Sequence, residues 1–166
     1  ISGESGFVQA GRPTVLTAVP SEGYTLTEWT GDLEGCVVNG VSIDVSVDQA
    51  RSLVAHFSPM AVSGFAAQVT SLESVELSWT YSGSPQALFR VERMLGGETE
   101  WEDLSTISSL SFVDHTVSEG MSMFYRVIVV LDGIDSASAN AQAEVPRLPE
   151  IPQNLGATPI SYSEVS

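Results

Sequence analysis

The chain has 166 residues, 43% of them hydrophobic, enough for one or two packed domains and too apolar for a disordered segment. Its six basic residues are all Arg and face twenty-one Asp and Glu. The resulting net charge of −15 repels phosphate backbones and anionic lipid, so neither nucleic acid nor a membrane surface is expected as a partner. Gly and Ser are plentiful, β-branched residues are common, and no stretch holds a helical period. The expected class is all-β. The longest apolar run, residues 127–131, falls far short of the ~20 residues that span a bilayer, so no direct membrane insertion is expected. Cys36 stands alone, which excludes an internal disulfide, and the apolar residues after it point to burial.

In chain order, the first strand signal is "TVLTAVP", where Val15, Thr17 and Val19 alternate with Leu16 and Ala18. Glu22 and Gly23 turn the chain into "GYTLTEWTGD", with Tyr24, Leu26 and Trp29 offered as core. In "VAHF", Ala55 and Phe57 face inward and leave His56 in solvent. The short joint "SPMA" leaves little freedom before the next unit. There "VELSWTY" sets Val75, Leu77, Trp79 and Tyr81 against Glu76, Ser78 and Thr80, the pattern of a half-buried strand. "LFRVERM" puts Phe89 and Val91 on one face and Arg90 and Glu92 on the other. "TEWEDLSTI" alternates more weakly. "MFYRVIVVLDGIDSASANAQAEV" reads as two strands around Asp132-Gly133, a dipeptide suited to a tight type I′ turn because both positions tolerate positive φ. Beyond it Pro146, Pro149 and Pro152 recur at every third position, as in a polyproline II strut.

An internal repeat runs at an offset of 90 residues. Phe65 falls on Leu155, Ala67 on Ala157, Ser71 on Ser161 and Val75 on Val165. The second copy ends where the first reaches its "ELSW", so the polypeptide is expected to continue past Ser166. Residues 60–147 resemble a bacterial fibronectin type III domain. The likeness rests on "LSW", "FRVER", "FVDHTVSEG" leading into "MSMFYRV", and a Gly with small polar residues before the last strand. One position departs. The corner Tyr of that family falls on Met123, which has no hydroxyl to donate. "GRPTVLTAVPSEGYTLTEWTGD" and "VSIDVSVDQARSLVAHF" resemble the divergent internalin-type B repeat of bacterial surface proteins, with its first strand expected to be missing here. The implied architecture is tandem small β-domains. A B-repeat-like domain at 1–58 precedes an immunoglobulin-like β-sandwich at 59–147, and residues 148–166 form a linker and the first strand of a second sandwich.

Reactive constellations are scarce. Neither His56 nor His115 has a Cys or second His at metal-ligand spacing, and "GESG" at 3–6 lacks the strand–turn–helix of a nucleophile elbow. Glu100 and Glu102 share a face with no predicted cleft. No catalytic residue and no cofactor are expected. Calcium is the one ion the loops could take: Asp32 and Glu34 in "GDLEG" lead, with Asp132 and Asp135, or Asp44 and Asp48, as further pairs. Trp101, between acidic neighbours, is the candidate ring for stacking on a glycan. Together these features suit a non-catalytic spacer in a large secreted or cell-surface bacterial protein, partnered by its own neighbouring domains. The alternatives are a filament or surface-layer subunit that binds other copies by strand complementation, or a carbohydrate-binding accessory module of a secreted enzyme.

Overall fold

The computed structural model describes residues 13–46, 49–150 and 156. The expectations on residues 3–6, Asp48, Pro152 and the second repeat copy (Gly156 apart) lie outside them. Among the described residues thirteen strands follow in order: β1 Pro13–Thr17, β2 Tyr24–Gly31, β3 Val37–Asn39, β4 Ser42–Ser46, β5 Leu53–Pro59, β6 Ser63–Ser71, β7 Ser74–Thr80, β8 Leu88–Leu95, β9 Glu102–Ile107, β10 Ser111–Asp114, β11 Ser122–Leu131, β12 Ile134–Asp135 and β13 Ala139–Glu144. The described residues contain no helix long and apolar enough to cross a membrane. The fold is all-β, and every strand pairing is antiparallel.

The first five strands form two small sheets, β1-β4-β3 and β2-β5. Ile43 and Val45 of β4 are buried, as is Ala18. β5 keeps the expected alternation, with Ala55 and Phe57 half-buried and His56 exposed. Trp29 and Leu26 are half-buried, so they supply less core than the sequence suggested. A bulge at Thr27 shifts the β2–β5 register. It frees the Thr27 hydroxyl to donate to the His56 carbonyl at 3.0 Å. At the end of β2, Gly31 sits at φ +106, and a Cβ there would lie 2.1 Å from the Ser52 carbonyl oxygen. Only glycine lets the two backbones come that close.

Strands β6 to β13 build a sandwich of two sheets, β10-β7-β6 against β12-β11-β8-β9, with β13 also on β11. Val75, Leu77 and Trp79 of β7 face Phe89 and Val91 of β8 and Tyr125, Val127 and Val129 of β11 across one core. Fully burying each such aliphatic side chain is worth ~1.5–3 kcal/mol. Trp79 anchors the layer, with Phe65 edge-on at 6.0 Å and Phe89 tilted at 5.6 Å between ring centroids. The Asp132-Gly133 turn has the expected form, with φ of 53° and 76°. The strand after it is broken. β12 holds the upper part of β11 and β13 the lower. Between them the Val129 N–H donates to Ser136 Oγ at 2.9 Å, and the Ser136 N–H returns to the Val129 carbonyl.

Candidate functional site

The strongest concentration of polar chemistry lies at one end of the sandwich and is built on Arg93. Two residues after Val91, Arg93 points inward by simple strand alternation and is 7% exposed. A buried guanidinium needs partners. Arg93 donates to Asp114 Oδ2 and to Glu102 Oε2, each at 2.8 Å, and to the Thr116 hydroxyl at 2.6 Å. Asp114, 2% exposed at the end of β10, also accepts the Tyr125 hydroxyl at 2.8 Å. Its other oxygen takes the Thr116 N–H and hydroxyl at 2.8 and 2.6 Å. Burial alone would raise the Asp114 carboxyl. The Thr116 and Tyr125 hydrogen bonds and the Arg93 charge outweigh it and hold the group below the usual carboxylate range. Burial and the Asp114 carboxylate push the Tyr125 phenol up.

This cluster answers the missing corner tyrosine. Met123 is fully buried in phase with Tyr125 and Val127, as any positions two apart on one strand face are. The hydroxyl is supplied from Tyr125, which bonds the Asp114 side chain instead. With both oxygens hydrogen-bonded and its charge matched by Arg93, Asp114 is held in the carboxylate form near neutrality. It is a clasp.

On the outer face of the same sheet runs a second chain of charges. Arg90 pairs with both Asp135 and Glu92, Glu92 pairs with Arg126, and the Arg126 guanidinium lies 4.3 Å from the centre of the Trp101 ring. Glu92 takes the face opposite Phe89 and Val91, as the alternation predicts, yet is only 5% exposed. Burial raises its carboxyl, but the Arg126 and Arg90 hydrogen bonds bring it below the usual range. Trp101, the proposed glycan platform, is half-buried, and one ring face carries Arg126.

Among the described residues of the proposed calcium pairs, the Asp32, Asp44, Asp132 and Asp135 carboxylates are engaged within the protein. The Asp32 carboxylate accepts the Ser52 N–H at 2.8 Å and so stitches the β2 end to the start of β5. Glu34 is exposed, and its carbonyl accepts from Arg51. Asp44 accepts from Asn39 at 3.1 Å, Asp135 binds Arg90, and Asp132 accepts the Tyr24 hydroxyl. Among the described residues, no three His, Cys, Asp or Glu gather as a metal-holding group. Cys36 is half-buried rather than buried, its thiol 3.8 Å from the Asp32 carbonyl oxygen. Glu100 and Glu102 are both exposed, and Glu102 turns to Arg93.

Arg93, Asp114 and Tyr125 were not singled out from the sequence. The signal was present: an Arg in phase with Phe89 and Val91 demands a buried anion.

Residues 1–61 match the family model of the divergent InlB B-repeat domain. No curated protein matches the chain. Several solved structures resemble it over about half its length. A Fn3-like protein from Clostridium thermocellum is 23% identical with a TM-score of 0.44, covering 54% of this chain and 95% of that one. A fourth FNIII domain from human is 16% identical with a TM-score of 0.49, covering 58% and 87%. Titin kinase with its flanking domains is 18% identical with a TM-score of 0.47, and the match covers 53% of this chain but only 17% of that one. The B-repeat family match thus falls on the first of the two units, and the second is an antiparallel β-sandwich.

Proposed function

We propose that this chain is a non-catalytic spacer in a larger bacterial protein, secreted or anchored at the cell surface, where it holds other domains at a set distance. The carrying observation is the arrangement in series: a domain matched by the B-repeat family model, then a sandwich, joined by only residues 60–62 between β5 and β6. The charge pairs support the reading. Arg90, Arg93 and Arg126, half of the chain's six basic residues, are committed to internal ion pairs on the sandwich. The remaining acidic excess favours solubility and mutual repulsion between copies.

A domain exchange in the source protein tests this. Replacing residues 63–145 by an unrelated sandwich of equal length should leave the parent protein's activity or attachment intact, while deleting them should impair it. Loss of function on exchange would mean that the sandwich surface itself binds something, and the spacer reading would fall. Small-angle scattering of the chain should give an elongated particle; a compact globule would count against it.

A further inference from the structure

Two domains joined by a short link with a small interface ordinarily move relative to one another. Here the turn before β2 is pressed against the sandwich. Gly23, at φ +82, approaches so closely that a Cβ would lie 2.8 Å from Ser84 Cβ and 2.9 Å from both Ser84 N and Leu131 Cδ2. Ser84 and Leu131 belong to the sandwich, and both are buried. The Gly23 carbonyl accepts the Met60 N–H at 2.8 Å, which ties the connector back to the turn. One residue on, the Tyr24 hydroxyl lies 3.0 Å from Asp132 Oδ2 and 3.4 Å from the Leu131 carbonyl oxygen. Asp132 is the one described non-glycine residue at positive φ, so its side chain leaves the β11–β12 turn from an unusual backbone geometry. β5 lies against β11 and β12, and Ile134 lines a shared groove of about 520 Å³ with Val19, Tyr24, Val54 and Phe57.

We propose that these contacts lock the B-repeat domain and the sandwich into one rigid body, latched by the Tyr24 hydroxyl on the Asp132 carboxylate. Three attachments restrict the rotations a single linker would leave: the connector at 60–62, the Gly23 backbone on Ser84, and Tyr24 on the β11–β12 turn. The connector is itself pinned at both ends, because Pro59 and Val62 are buried. The inference rests on this joint alone, so a hinged result would leave the spacer reading standing as a jointed spacer.

The test uses the whole 166-residue chain, weakly aligned in solution, with amide residual dipolar couplings fitted separately for each domain. The wild type should give one common alignment tensor. Tyr24→Phe keeps the ring and removes the hydroxyl; Asp132→Gly keeps the positive φ and removes the carboxylate. Each should lose the common tensor while the amide shifts within each domain away from the joint stay in place. Different tensors in the wild type would overturn the rigid body. A common tensor kept by both variants would overturn the latch. The wild-type fit alone decides rigidity, so a variant that fails to fold cannot shield the proposal.

Discussion

In the sandwich, Val75, Val91, Val127 and Val129 are almost wholly buried, whereas in the first domain Val15, Val19, Val37, Val38, Val41 and Val54 stand at the surface. Residue type does not separate the two regions, since both are rich in β-branched side chains at strand positions. What separates them is cover. Each face that β7, β8 and β11 turn inward meets a second sheet. Among the described residues of the first domain, only β4 gathers a comparable cluster, through Ile43 and Val45. Alternation is therefore enough to make a strand, but a core needs a second layer to close on it.

The largest expected effect breaks the comparison from the side of the sandwich. Asp114→Ala leaves the buried Arg93 without its inner anion and should destabilise that domain by about 3–5 kcal/mol, read from urea unfolding followed by tryptophan fluorescence with Trp29 and Trp101 replaced by Phe in both proteins compared. A loss below about 1 kcal/mol, as for an exposed pair, would show that Glu102 alone suffices. Leu77→Ala, at a fully buried position, should cost ~2–5 kcal/mol in the same measurement.

Acid sharpens the same contrast. The folded Asp114 carboxyl titrates below its unfolded value, so its contribution is present above about pH 4 and is lost as pH falls through the folded value. The urea midpoint of the sandwich should drop over that acidic range, and Asp114→Asn should flatten the drop. An unchanged acid slope in Asp114→Asn would assign the loss to other carboxylates. Smaller again, Trp101→Ala should cost about 0.5–1 kcal/mol through the lost Arg126 contact. At the bottom of the scale, Val19→Ser in the first domain should stay within about 0.5 kcal/mol, because Val19 is 78% exposed. A large loss there would mean that this valine is covered in solution.

Much of the sandwich was legible from period-two alternation. Val75, Leu77 and Trp79 on one face of β7, Phe89 and Val91 on one face of β8, and the Asp132-Gly133 turn all follow from side-chain pattern and backbone preference. The burial of Glu92 was not legible, because alternation reports which face a residue takes, not what covers that face. Arg90 and Arg126 close over it from β8 itself and from β11. The Asp114 clasp was hidden for a related reason. Its members come from β8, β9, β10 and β11, and no local rule joins residues 93, 102, 114 and 125.

The sequence by itself determined an all-β chain, the inward faces of its central strands and a net charge of −15, because these depend on local sterics, period and summed charge. Tertiary structure alone decided which charges would be buried, that the Tyr125 hydroxyl would bond the buried Asp114, and that Tyr24 would meet Asp132 across the domain boundary. Those outcomes depend on distances between strands far apart in the chain. Such distances are set only when whole sheets pack against one another.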